Sequence, residues 1–250
     1  MSKVRKIIKS KKPQGRTGVR DRNLAKARFN QHLAAAARDN VVAIVGQGRT
    51  PERALEIAVS AFFLADHLTR RFEAEHDLPH PVACREDCDS CCYNQVELTP
   101  PEALLIGHHI AENFSEAEKE TVLANLARNL ARTAGKSPAA IAAMRAELPC
   151  PLLRERRCSV YPVRPLTCRA MHALNRERCE AELSAGSLAG SQYYAHRHDL
   201  AVSVSLGLRE GCRAAGLQSG TLNLTRALND FFTQGNPVEK WISGEEVFGG

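Results

Sequence analysis

Seven cysteines of this chain stand in two blocks. The first reads Cys84-Arg-Glu-Asp-Cys88-Asp-Ser-Cys91-Cys92. The second reads Cys150-Pro-Leu-Leu-Arg-Glu-Arg-Arg-Cys158-Ser-Val-Tyr-Pro-Val-Arg-Pro-Leu-Thr-Cys168-Arg169. Thiolates this close in sequence are soft ligands suited to zinc or an iron–sulfur cluster. The short intervals between Cys84, Cys88 and Cys91 let the chain curl so that the sulfurs face one point. Cys92 directly follows Cys91, and neighbouring side chains diverge. One of that pair is therefore expected to bind a second ion, to bridge, or to remain a reactive thiol. The wider spacings of Cys150, Cys158 and Cys168 need a chain folded back on itself, and Tyr161-Pro162-Val163-Arg164-Pro165 is the expected turn. Arg154, Arg156, Arg157, Arg164 and Arg169 crowd this block, and positive charge lowers thiol pKa values.

Other residues invite weaker readings. Cys179 is a candidate eighth thiolate, which would give two four-thiolate sites, or a helix-face residue. Cys212 sits in an apolar helical pattern and reads as a small core residue. His172 could complete a site short of one thiolate, but a surface or core imidazole is the commoner use. His108–His109 and His196-x-His198 lack the four-residue spacing of a helical chelate. Asp87 and Asp89 orient the first loop or move protons, and Tyr161 either hydrogen-bonds a ligand sulfur or packs. The sequence contains no phosphate-binding glycine loop, no His-Glu-x-x-His and no nucleophile elbow.

The elements that must position these residues read as helices. The chain has 250 residues, 44% of them hydrophobic and only 5% aromatic. That suits an Ala/Leu-rich helical protein, and the length needs no cysteine staples. Helices are expected over 21–45, from Thr50-Pro51 to about 76, over 99–113 and 115–133, over 138–148 and 176–183, and over 222–232. Thr99/Glu102 and Ser115/Glu118 form capping boxes. The stretch 191–215 reads as helix in spite of a strand-like alternation. Prolines 149, 151, 162 and 165 rule out a regular helix over 149–169. The expected fold is mainly α, an irregular helical bundle with two cysteine-rich metal-binding loops. The loops have few large apolar residues, so metal would order them. The expected organisation is a basic disordered arm (1–20), N-terminal helices (21–76), a cysteine-cluster domain (77–180) and C-terminal helices (181–250), with 21–250 forming one domain as the alternative.

Net charge is +6, yet residues 1–20 hold eight basic residues and no acidic one, leaving a slightly acidic body. The arm reads as solvated, or as an arm for nucleic acid or another anionic surface. No apolar run is long enough to span a membrane, and no secretory h-region precedes the body. The expected compartment is a reducing cytoplasm, where an odd count of nine cysteines fits thiols better than disulfides.

The pattern C-x3-C-x2-CC, then Cys150-Pro151, Cys158, Tyr161, Arg164-Pro165 and Cys168-Arg169, resembles the YkgJ-like cysteine-cluster (CxxCxxCC) family over about residues 80–170. One extra residue between Cys84 and Cys88 departs from the family spacing. The resemblance implies bound zinc or iron through Cys84, Cys88, Cys91, Cys92, Cys150, Cys158 and Cys168, in a structural, regulatory or iron-handling role. It is distantly similar to flagellin lysine N-methylases, which implies as an alternative a cluster- or thiolate-dependent enzyme using S-adenosylmethionine on protein lysine. A zinc-ordered module with a protein partner and a nucleic-acid-binding arm is a third expectation. Cys84-x3-Cys88-x2-Cys91 is also the spacing of radical S-adenosylmethionine enzymes, but their strand–helix alternation is missing here.

Overall fold

The computed structural model describes residues 16–85, 87–185 and 192–249, with side chains from residue 23 onward. Among the described residues, ten α-helices carry most of the chain, and the four strands are two residues each. Most of the basic arm, residues 1–15, lies outside the described residues. The first helix, α1 (Arg16–Gly46), begins inside the stretch expected as arm.

α2 (Pro51–Glu75) lies at the centre. Thr50 accepts a hydrogen bond from the Arg53 backbone N–H at 3.4 Å, and Pro51 occupies the first turn, where its missing N–H costs nothing. Its inward stripe of Ala54, Ile57, Ala58, Ala61, Phe62 and Ala65 recurs every three or four residues. Around it pack α1, α3 (Pro100–Asn113), α8 (Ala195–Ala214) and α10 (Pro237–Ser243). α9 (Leu224–Thr233) bridges α3 and α4 (Glu116–Thr133).

α1 and α8 form the most extensive helix–helix contact, and small residues let them close. A Cβ at Gly207 would stand 2.3 Å from the Ala34 carbonyl oxygen, and one at Gly211 would stand 2.6 Å from the Val41 Cβ. The core continues through Leu104, Ile106, Leu228 and Trp241, the last with its Nε1–H on the Gln218 carbonyl at 3.1 Å. α10 lies beyond the last helix expected from sequence, 222–232. It is seven residues long and starts from Asn236, whose left-handed conformation (φ 52°) asparagine tolerates, with Pro237 in the first turn.

Both expected capping boxes form. Glu118 reaches back to Ser115, and Glu102 to Thr99. The helix expected over 138–148 is α5 (Pro138–Ala143) followed by a 3-10 turn, Arg145–Glu147. β1 (Glu97–Leu98) pairs antiparallel with β4 (Leu222–Asn223), Glu97 opposite Asn223, and ties the exit of the first cysteine block to the start of α9. β2 (Leu153–Arg154) and β3 (Arg157–Cys158) make a hairpin inside the second block, Leu153 opposite Cys158. α6 (Leu166–Ala170), only five residues, follows Pro165, and α7 (Arg176–Ser184) closes the cysteine region. The prolines allow this one turn of helix because Pro165 precedes it. No described helix is long and apolar enough to cross a membrane.

Candidate metal centre

All nine cysteines are thiols. Cys84 lies in the extended stretch before the first turn. Its sulfur accepts the Ala173 N–H at 3.1 Å, and the Ala83 N–H returns to the Ala173 carbonyl at 2.9 Å. Cys88 closes a turn through its N–H to the Arg85 carbonyl at 3.0 Å. Cys91 and Cys92 sit in a 3-10 turn, Ser90–Tyr93. Successive side chains of such a turn are splayed by about 120°. The Cys91 side chain therefore lines a cavity of about 450 Å³ together with Cys84, Cys88 and Cys179, whereas Cys92 is not among that cavity's lining.

Cys92 faces the second block. Its carbonyl accepts the Cys150 N–H at 2.7 Å. From Cys150 the chain runs into the hairpin, with the Leu153 N–H on the Cys150 carbonyl at 2.9 Å and the Ser159 N–H on the Leu152 carbonyl at 3.0 Å. The two loop residues, Glu155 (φ 48°) and Arg156 (φ 64°), are both left-handed. That is a tight hairpin turn made without the usual Asn-Gly. This hairpin, and not the Tyr161–Pro165 segment, folds Cys158 back toward Cys150. Tyr161–Val163 forms a 3-10 turn that instead delivers Cys168 on α6.

The second block is anchored in the core, contrary to the expectation of loops with few large apolar residues. Leu152, Val160 and Leu166 are all buried. Polar side chains of the helices hold its backbone as well. Asn129 donates to the Pro149 carbonyl at 2.8 Å and Asn125 to that of Pro151 at 3.2 Å. The buried Glu102 carboxylate accepts the Thr99 N–H and hydroxyl at 2.7 Å each and the Leu166 N–H at 2.8 Å, so one side chain caps both α3 and α6. Burial pushes its pKa up, against these donors and Arg169. Arg169 spans the Arg164 and Pro162 carbonyls and Asp66 of α2, with its guanidinium 4.3 Å from the Phe62 ring centre.

Electrostatics divide the thiols. The Cys92 S–H donated to Cys91 holds Cys91 down at about 7 against burial, with Arg164 assisting. The same bond, then burial, pushes the donor Cys92 far up. Cys84 is exposed as a residue, but its sulfur is tucked under Ala173. That lost water pushes it to about 11, with Cys88, Cys91 and Cys179 adding to the rise. Burial takes Cys150 to about 12 and raises Cys158 and Cys168, each also repelled by Cys91. The thiols thus stand within each other's field in two sets, and Cys91 belongs at the junction.

Several expected roles are filled otherwise. Tyr161 does not hydrogen-bond a sulfur. Its exposed ring carries the Arg164 guanidinium at 3.8 Å and so keeps that charge near Cys91 and Cys158. His172 spends both ring nitrogens on backbone, Nδ1 on the Ala170 carbonyl and Nε2 accepting the Tyr194 N–H, each at 2.7 Å. Those bonds take up the nitrogens a metal would need, and burial holds its pKa down. His196 and Arg197 bind Glu73, and His109 contacts Asn113. Asp87 pairs with Arg176 and Asp89 with Arg156. Cys212 is buried in α8, pushed to about 12 by desolvation.

Among the described residues, no three Cys, His, Asp or Glu side chains stand as a ready-formed metal site. The donor chemistry nonetheless fits zinc or iron, because the converging side chains are sulfurs. Side-chain rotation on a held backbone is what ligation would add, with proton release from each thiol. Arg145 supports the fit. It is 6% exposed, donates to Asn94 Oδ1 at 2.9 Å, lines the same cavity as the four thiols, and its Nε has no partner. A buried guanidinium beside thiols is compensated when they become thiolates.

Residues 83–185 match the family model CxxCxxCC, described as "Putative zinc- or iron-chelating domain". No curated protein and no solved structure matches the chain. The expectations of S-adenosylmethionine, a nucleic acid and a protein partner gain no support from these findings. The matched span reaches beyond the Cys168-Arg169 motif to include α7 and Cys179. Over residues 83–185 the chain is thus similar to the CxxCxxCC family of domains.

Proposed function

We propose that this protein holds zinc or an iron–sulfur cluster through Cys84, Cys88, Cys91, Cys92, Cys150, Cys158 and Cys168, and that the bound metal orders the cysteine region. The observation that carries the reading is the convergence of these thiols from separate segments: the turn at Ser90–Tyr93, the Leu153–Cys158 hairpin and α6. The metal would supply charge neutralisation that thiolates this close lack in its absence. Arg164, held by Tyr161, supplies part of that compensation. A structural task follows from the first block, where only Ser90 among the described residues of 77–95 is buried. Regulatory or iron-handling roles would use the same ligands with a metal that exchanges.

Anaerobic purification with elemental analysis and a visible spectrum tests this. A brown protein with iron and sulfide identifies a cluster, and a colourless one with stoichiometric zinc identifies a zinc site. Protein without stoichiometric metal under both conditions overturns the reading. Slow exchange with isotopic metal supports the structural role, and fast exchange supports handling.

The cavity beside Cys84, Cys88 and Cys91 favours a second reading, an enzyme in which a small molecule reaches the metal or a thiolate. Its lining includes the apolar surfaces of Ala170, Met171 and Tyr193. Equilibrium binding of S-adenosylmethionine to metal-loaded protein tests the methyltransferase form of this reading, and no binding removes it.

A further inference from the structure

The two adjacent cysteines of the Ser90–Tyr93 turn touch through the Cys92 S–H, yet the rest of their surroundings differ. Cys91 lines the 450 Å³ cavity, and so do Cys84, Cys88 and Cys179. Cys179 is brought there by α7, which packs against the Ser90–Tyr93 turn, although it lies outside both cysteine blocks. Cys92 is joined through its carbonyl to Cys150, and the hairpin register sets Cys158 opposite Leu153, three residues past Cys150. Cys168 approaches this second group from α6, whose first N–H is fixed by Glu102. Each group therefore contains four sulfurs. One opens on a cavity and the other is packed behind the turn, against Leu152, Val160 and Leu166.

We propose, resting on the metal-binding reading above, that the chain carries two separate four-thiolate sites back to back: an outer site of Cys84, Cys88, Cys91 and Cys179, and an inner site of Cys92, Cys150, Cys158 and Cys168. Four sulfurs complete a tetrahedral site, and seven cannot complete two. The orphaned Nε of the buried Arg145 supplies a second, independent observation for the outer site. A doubly charged metal with four thiolates is net negative, and Arg145 lines its cavity as a cation, alongside the Glu182 side chain. The outer metal borders the cavity and is reached by small chelators. The inner metal is shielded by the hairpin and the α4 asparagines. The outer site is thus where exchange or ligand entry takes place, and the inner site fixes the fold of the second block.

The test is zinc content per chain after anaerobic reconstitution of the full chain, for the wild type and for Cys179→Ser, Cys84→Ser and Cys168→Ser, with far-ultraviolet circular dichroism confirming that each is folded. The wild type is expected to hold about two zinc ions, from four thiolates per ion. Cys179→Ser and Cys84→Ser should each lose the ion that a chelator strips first and keep the slow one. Cys168→Ser should lose the slow one and keep the fast one. A wild type with two ions in which Cys179→Ser retains both with unchanged stripping rates overturns this proposal and leaves the metal-binding reading standing. So does a wild type holding one ion, or loss of all metal in every variant, which would mean one joint cluster. A wild type that takes up no zinc or iron overturns both.

Discussion

The two cysteine blocks bring similar donors to one region by opposite means. The second block is built into the core. Leu152, Val160 and Leu166 are no more than 2% exposed, Asn125, Asn129 and Glu102 satisfy its backbone from the surrounding helices, and Arg169 does so from within. The first block has no buried apolar residue between 77 and 95, and short turns plus the Ala83–Ala173 and Cys92–Cys150 links position it. The difference teaches that anchoring need not be uniform across one cysteine region. One half is anchored by the core, and the other by turns and two backbone links.

The largest expected effect follows from removing metal. Under reducing conditions with a chelator, amide hydrogen exchange over 77–95 should approach that of an unprotected chain, while 149–170 and the helices keep most of their protection. Equal loss in both blocks would erase the contrast. Next in size, Leu166→Ala should cost about 2–5 kcal/mol by cavity formation, seen as a fall in denaturation midpoint. Val82→Ala, in the half-buried first block, should stay within about 0.5 kcal/mol. Glu102→Gln should cost about 1–3 kcal/mol, because a buried donor of Thr99 or Leu166 loses its acceptor. It should also weaken retention of metal bound through Cys168, while Cys84–Cys88 chemistry is unchanged.

The smallest effect concerns thiol chemistry. In metal-free protein Cys91, held near 7, should alkylate at neutral pH, and its labelling should fall as pH drops below that value. Cys212 should stay unmodified. Its folded pKa is raised from 9.0 to about 12, so its contribution to stability is full below about 9 and is lost as pH rises toward about 12. Cys212→Ala should flatten that alkaline decline. Labelling of Cys212 ahead of Cys91 would contradict the assignment of one thiol to the core and the other to the site.

What could be read from sequence tracks how local the cause is. Thr99/Glu102 and Ser115/Glu118 announce helix starts because capping is settled within four residues. The stripe of α2 announces its buried face for the same reason. The hairpin was illegible because Glu155 and Arg156 adopt left-handed geometry without glycine or asparagine, held there by Leu152 and Val160 in the core. The candidate cysteines are legible from spacing. The approach of Cys179 to them is not, because its placement depends on how α7 docks on a turn some ninety residues earlier in the chain. The roles of Tyr161 and His172 likewise depended on partners, Arg164 and Tyr194, whose approach no local pattern encodes.

The most direct test of the central claim is X-ray absorption at the zinc and iron edges of anaerobically prepared full-length protein. A nearest shell of sulfur at about 2.3 Å, with stoichiometric metal, is the predicted result. A nearest shell of oxygen or nitrogen at about 2.0–2.1 Å, with no sulfur contribution, would contradict it.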